Sequence, residues 1–307
     1  MRVAFFGLPL AALMLHRRGH SIVHAALCRR GAPGERRLRR LLGDDVVRVA
    51  PKVDRRYAAT VRAARAELLV SWFWTKKLPI EVVEAAPLGG VGVHPSLLPR
   101  WRGPDPTFWA IDAGDRETGV TAHRIAADYD TGAIVAQRRL TIDPRWDSWA
   151  LARALDRPSL ALLGEVVDVA ARDGRLDERA QDEALVTEAP APTDELLALS
   201  FDRPTARVLR RIRAAAPYPG AWTFIGDEAV VLTRAEPHDE RPKMLAPGEA
   251  MVHRGRAIIA TADGAIVALA GRLVGEDDDE APLAHDHERV LDAHGLAELV
   301  TRAREGT

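Results

Sequence analysis

Asparagine does not occur among the 307 residues, and cysteine occurs once, as Cys28. A single thiol excludes an intrachain disulfide and any metal centre built on clustered cysteines. Lysine is scarce as well: of 43 basic residues only Lys52, Lys76, Lys77 and Lys243 are lysines. No apolar run reaches the roughly 18 residues that a membrane span requires. The opening MRVAFFGLPLAALMLHRRGH has an apolar stretch but no small-residue cleavage site, so it reads as strand then helix rather than as a signal peptide. A reducing cytoplasm is the expected setting, with no membrane partner and no metal.

What is present is an ordinary globular balance, 47% hydrophobic and 28% charged, in a length suited to two domains. The net charge of −1 conceals an asymmetry. Residues 1–60 carry 13 basic and 4 acidic side chains; residues 201–307 carry 14 and 18. Only the N-terminal segment attracts an anionic partner, and it does so locally. Its arginine-rich stretch RRGAPGERRLRRLLG reads as a solvated helix face.

Short apolar strands alternate with helical stretches through the first half. VAFFG, SIVHAALC, ELLVSWFW and GVGVH are buried-strand patterns, with helices over LAALMLHRRG and near 80–86. That alternation predicts an α/β fold with a mainly parallel sheet. TGVTAHRIA and AIVAQRRLTI flank the turn DYDTG as a strand pair, and a helix follows over 148–172. Beyond LVTEAPAPTDELL the texture becomes an amphipathic helix, then short strands with turns, a β-rich barrel-like domain. The expected division is 1–184, a linker over 185–200, and 201–307. GEDDDE, residues 275–280, is expected to be a solvated acidic loop.

In an open α/β sheet ligands bind beyond the carboxyl ends of the strands. His94 ends the strand GVGVH, and PSLLPRWRG is the loop that follows. Asp130 lies in the DYDTG turn. A histidine with a carboxylate partner suits proton transfer near neutral pH. Ser96 has no Gly-x-Ser-x-Gly elbow, which argues against a serine hydrolase. FFGLPLAAL lacks the glycine fingerprint of a dinucleotide site.

HPSLLPRWRG, TGVTAHRI, DYDTGAIVAQ and LRRIRAAAPYPGAW, in this order, resemble the folate-dependent formyltransferases, specifically the methionyl-tRNA formyltransferase-like branch. The resemblance implies a Rossmann-like formyltransferase domain and a C-terminal OB-like barrel. It implies transfer of a formyl group from 10-formyltetrahydrofolate to an amine. The family's Asn-x-His motif and its later Asp fall on Gly92, His94 and Asp130, so the amide expected to hold the oxyanion is replaced by a hydrogen. The alternatives are a weakened folate-binding homologue or a 10-formyltetrahydrofolate hydrolase. The resemblance places the folate pocket around Trp72, Phe73, Trp74, Ser96, Leu97, Asp128, Tyr129, Thr131 and Gly132. The net acidic second domain favours a small-molecule amine over tRNA as acceptor.

Overall fold

The computed structural model describes residues 1–238, 242, 244–274 and 290–305; the acidic 275–280 stretch lies outside the described residues. Two compact units are present. One comprises Met1–Pro106, Glu117–Thr141 and Arg153–Pro190, the other Thr107–Arg116, Ile142–Ala152 and Ala191–Thr307.

The elements begin with β1 (Arg2–Gly7), α1 (Pro9–Arg17), β2 (Ser21–Leu27), α2 (Glu35–Leu42), β3 (Val47–Val49) and α3 (Ala58–Ala63). They continue with β4 (Leu68–Trp72), α4 (Ile80–Val83), β5 (Gly90–His94), α5 (Pro106–Ala113), β6 (Glu117–Arg124), β7 (Ile134–Thr141) and α6 (Ser148–Asp173). One seven-stranded sheet has the order β3-β2-β1-β4-β5-β6-β7. Strands β1 to β5 are parallel, and β6 and β7 add antiparallel at one edge. This is the mainly parallel, Rossmann-like sheet. Its strands are nearly continuous apolar runs because helices cover both faces. On one face Ala4, Phe6, Ala26 and Leu69 pack against Val61, Val82 and Val83 of the helical layer. In α2 only Leu38 is buried, and Arg39 pairs with Glu35 and Asp44, so this arginine-rich helix is a solvated face.

The C-terminal unit holds α7 (Asp194–Leu197), α8 (Thr205–Ala215), β8 (Ala221–Ile225), β9 (Glu228–His238), β10 (Ala250–His253), β11 (Arg256–Ala260), β12 (Ala265–Leu273), β13 (Val290–Asp292) and α9 (Ala293–Glu305). Its strands form an antiparallel sheet in the order β10-β11-β12-β9-β8, with β13 beside β12. Among the described residues no pairing joins β8 to β10. Helix α8 is amphipathic: Val208 and Ile212 are buried one turn apart, while Arg207 and Arg211 reach a buried carboxylate.

A buried aromatic cluster packs on one face of the first sheet. The His24 Nε2 lies 3.0 Å from the Tyr57 hydroxyl, and both rings pack against Phe6. Burial, aided by Arg48, pushes the His24 imidazole down to about 4; burial pushes the Tyr57 phenol up to about 12. The phenol therefore stays protonated and donates to a neutral imidazole. An unfolded histidine takes its proton near 6.5, so the unfolded state binds more protons between pH 6.5 and 4. Stability conferred by neutral, buried His24 is complete above pH 6.5 and falls as the pH drops towards 4, by about 3 kcal/mol. Urea denaturation at stepped pH is expected to show this slope, and His24→Gln is expected to flatten it.

Candidate active site

Strand β5 puts Gly92 and His94 on the same face, because side chains two residues apart share a side of a sheet. The antiparallel neighbour β6 pairs His123 directly opposite Gly92, and β4 pairs Ser71 on its other flank. A residue opposite a glycine has room to lean across. An added Cβ at Gly92 would meet the His123 Nε2 and the Ile125 Cγ1 at 3.7 Å and the Ser71 Cβ at 3.9 Å, ordinary contact distances. A side chain at position 92 would therefore begin in ordinary contact with an imidazole nitrogen.

Asp130 sits in the β6–β7 turn at φ 56°. Its Oδ1 lies 3.4 Å from the His94 Nδ1 and 3.7 Å from the His123 Nε2. Its Oδ2 accepts a hydrogen bond from the Gly103 backbone N–H at 3.1 Å. Both imidazoles are buried, and the carboxylate is largely removed from water. The outer nitrogens are committed. The His94 Nε2–H donates to the Trp101 carbonyl at 2.7 Å, and the His123 Nδ1–H donates to the Arg124 carbonyl at 2.9 Å. A neutral imidazole carries one N–H. With both rings neutral, each histidine turns a lone pair toward a carboxylate oxygen; with one ring protonated, its inner N–H faces Asp130 instead. Burial lowers the His123 imidazole from its ordinary range, against Asp130, which raises it, while His94 lowers it further. Chemically, the cluster is arranged to take up one proton and hold it between a carboxylate and two imidazoles.

His94, Asp130 and Gly92 are brought together, and His123 joins them. Sequence reasoning misses His123 although it lies within TGVTAHRI, because its relation to Gly92 depends on strand register. The aromatic triplet is split. Ser71 shares a face with Gly92, so the pleat sends Trp72 to the opposite face, where its indole N–H donates to Ser159 Oγ at 3.0 Å. Trp74 packs edge-on against Phe6 at 5.5 Å. Phe73 alone is exposed, at φ 56° in the loop after β4. Ser96 is buried and donates to the Arg100 carbonyl at 2.6 Å, while Leu97 is half-buried beside Gly119. Asp128, Tyr129 and Thr131 are exposed around the Asp130 turn. Gly132 is buried, and a Cβ there would come within 1.8 Å of the Arg124 carbonyl oxygen. The Lys77 ammonium and the Asp128 carboxylate, 3.0 Å apart, join the β4–α4 loop to the β6–β7 loop.

Residues 35–167 match the formyl transferase family, and residues 193–277 match the formyl transferase C-terminal domain. A methionyl-tRNA formyltransferase from Anaeromyxobacter dehalogenans is 33% identical over 291 residues, covering 89% of this chain and 92% of that protein. The chain belongs to the formyl transferase family. A methionyl-tRNA formyltransferase from Pelobacter propionicus is 31% identical over 221 residues, 72% of this chain and 68% of its own. Among solved structures, HypX from Aquifex aeolicus in complex with tetrahydrofolic acid shares the fold, with a TM-score of 0.64 and 20% identity over 100% of this chain and 48% of that one. An N-formyltransferase from Helicobacter canadensis, in complex with folinic acid and dTDP-3-aminofucose, aligns with a TM-score of 0.65 and 15% identity over 87% of this chain and 98% of that one. No helix among the described residues is long and apolar enough to cross a membrane, and none of their His, Cys, Asp and Glu side chains form a group suited to a metal ion.

Proposed function

We propose that this protein transfers the formyl group of 10-formyltetrahydrofolate to an amine of a small molecule, with residues 1–184 as the catalytic domain and 201–307 as the smaller barrel-like domain. The observation that carries the reading is the buried convergence of His94, Asp130 and His123 beyond the end of β5. Attack of the amine nitrogen on the formyl carbon forms the new C–N bond and leaves a surplus proton on the nitrogen. The His94–Asp130–His123 cluster takes that proton and returns it to N10 of the folate as the old C–N bond breaks. Charge is thereby kept off the attacking nitrogen at the transition state, a contribution of about 10²–10⁴-fold for a placed acid–base group. The donor's ring system is expected to lie between the exposed Phe73 and Tyr129, whose loops flank the cluster.

The oxyanion lacks the amide the family resemblance puts at position 92. Removal of one such donor costs about 10²–10³-fold. Gly92 has no positive φ, and the space beside it admits a Cβ without conflict. Gly92→Asn is therefore expected to fold like the wild type and to raise formyl transfer by up to about 10²-fold. A folded variant that binds folate normally and is no faster would mean that the missing amide does not limit the reaction.

For the acceptor, 18 acidic against 14 basic side chains in residues 201–307 favour a small amine over a polyanion. Methionyl-tRNA is the second reading, favoured by the relative that aligns over 92% of its length. The test is mass spectrometry of amino-sugar nucleotides and of methionyl-tRNA after incubation with the protein and 10-formyltetrahydrofolate. A formyl mass increment on an amino sugar supports the reading. Modification of tRNA alone would move it to the second. Loss of formate from the donor without any amine would make the protein a hydrolase.

A further inference from the structure

Asp130 occupies a left-handed backbone conformation that residues other than glycine rarely adopt. Two residues on, the chain doubles back so closely at Gly132 that no side chain fits. A residue far along the chain closes this turn. The Gln181 Nε2 donates to the Asp130 carbonyl at 2.6 Å and to the Gly132 carbonyl at 2.7 Å. Its Oε1 accepts from Arg102 twice, from Nε at 3.0 Å and Nη2 at 2.9 Å. Gln181 and Arg102 are both buried. The guanidinium completes its bonding on Glu183, with Nη2 to Oε1 at 2.8 Å and Nη1 to Oε2 at 3.2 Å. Two carbonyls require donors and a guanidinium can only donate, so one orientation of the amide satisfies all four contacts.

The backbone around Gln181 is tied to the same two loops. Arg179 and Ile134 exchange N–H···O bonds at 2.8 and 2.9 Å. The Arg102 N–H donates to the Thr187 carbonyl at 2.9 Å, and the Ala189 N–H donates to the Arg102 carbonyl at 2.6 Å. Gly103 lies at φ 125° because the strap crosses it; a Cβ there would sit 2.7 Å from the Ala189 oxygen. Residues 179–189 thus stitch the loop after His94 to the turn bearing Asp130. With Oδ2 held by the Gly103 N–H and the main chain held by Gln181, Oδ1 is the oxygen left to face the two histidines.

We propose that Gln181, aligned by Arg102, is a positioning residue of the site: it sets the Asp130 carboxylate against His94 and His123, and the 179–189 strap belongs to the active site. Gln181 lies between the two segments that match the family, 35–167 and 193–277. Its relevance to turnover rests on the formyl-transfer reading; its effect on the carboxylate does not. Loss of the amide donors leaves the Asp130 and Gly132 carbonyls without these partners, and the turn relaxes to recover them from water. A glutamine that served stability alone would lower the melting temperature and leave the histidines unchanged.

The experiment is ring-nitrogen NMR of the full chain, with the His94 and His123 signals assigned through His94→Gln and His123→Gln. Wild type, Asp130→Asn, Gln181→Met and Arg102→Lys are compared. Gln181→Met keeps the length and removes the donors; Arg102→Lys keeps the charge facing Glu183 and removes the fork that grips Gln181. Gln181→Met is expected to move both ring signals in the direction seen for Asp130→Asn, and to shift the His123 titration to lower pH as the carboxylate that supports its charge recedes. Arg102→Lys is expected to move them the same way by less. In turnover with 10-formyltetrahydrofolate and the acceptor found above, Gln181→Met is expected to lose about 10–100-fold in kcat with little change in KM for the donor. Folded Gln181→Met with His94 and His123 signals like the wild type overturns the proposal. If Gln181→Met does not fold, Arg102→Lys decides by the same criterion. Wild type without formyl transfer removes the functional reading, while the NMR comparison still decides the role of Gln181.

Discussion

Formyl transfer is expected to fall by about 10²–10⁴-fold when His94 is replaced by alanine, the range associated with a placed acid–base group. The ring ends β5 and makes the shorter contact with Asp130, Nδ1 to Oδ1 at 3.4 Å, while its Nε2 donates to the Trp101 carbonyl of the following loop. Asp130→Asn is expected to be almost as damaging with far less disturbance of structure. The amide oxygen can still accept from the Gly103 N–H, but the charge that stabilises a proton on either imidazole is gone. His123→Ala is expected to cost less, because His94 and Asp130 remain in contact without it. Steady-state rates for the three variants, with folate binding measured alongside, check the order. Undiminished rate in folded His94→Ala would refute the proton-transfer mechanism altogether.

The largest effect on stability is expected at Asp112, in α5. Its side chain is 2% exposed and its carboxylate is gripped by two arginines of α8. The Arg211 Nε reaches Oδ1 at 2.7 Å and Nη2 reaches Oδ2 at 3.1 Å, while the Arg207 Nη2 reaches Oδ2 at 2.9 Å. Arg211 also bonds the Leu196 carbonyl, and Arg207 the Asp112 carbonyl. Asp112→Ala removes the carboxylate these two guanidiniums share and leaves a buried positive charge. Breaking such a pair from one side costs about 3–5 kcal/mol. Arg207→Met should cost less than Arg211→Met, since the Arg207 side chain is 37% exposed and that of Arg211 only 14%. Urea denaturation of Asp112→Ala, Arg211→Met and Arg207→Met checks the ranking. A loss below about 1 kcal/mol at Asp112, well under the range for a broken buried pair, would mean that water or a neighbouring group replaces the carboxylate.

Relations between residues near one another in the chain are legible in the sequence. Apolar runs mark β1, β2, β4 and β5, since a doubly covered parallel sheet writes itself as continuous hydrophobic segments. The loop after His94 is legible as following the carboxyl end of a parallel strand, and DYDTG as the turn between β6 and β7. The long helix α6 is equally local. So is the turn into β8, where Pro217 and Pro219 flank Tyr218 and Gly220 precedes Ala221.

Three features are decided only by the fold. His123 stands opposite Gly92 through the register of β5 against β6, which depends on how two separate strands align. The division of Trp72, Phe73 and Trp74 follows from the pleat and from the backbone turn at Phe73, which send three adjacent aromatic rings to different surroundings. Gln181 reaches the Asp130 turn across 51 positions of chain, and nothing in its local sequence distinguishes it from a surface glutamine. Periodicity and turn chemistry report on interactions within a few residues, so they locate strands, helices and the loops between them. Which side chains share a proton or a hydrogen bond depends on contacts closed between distant segments, and those exist only once the sheet has assembled.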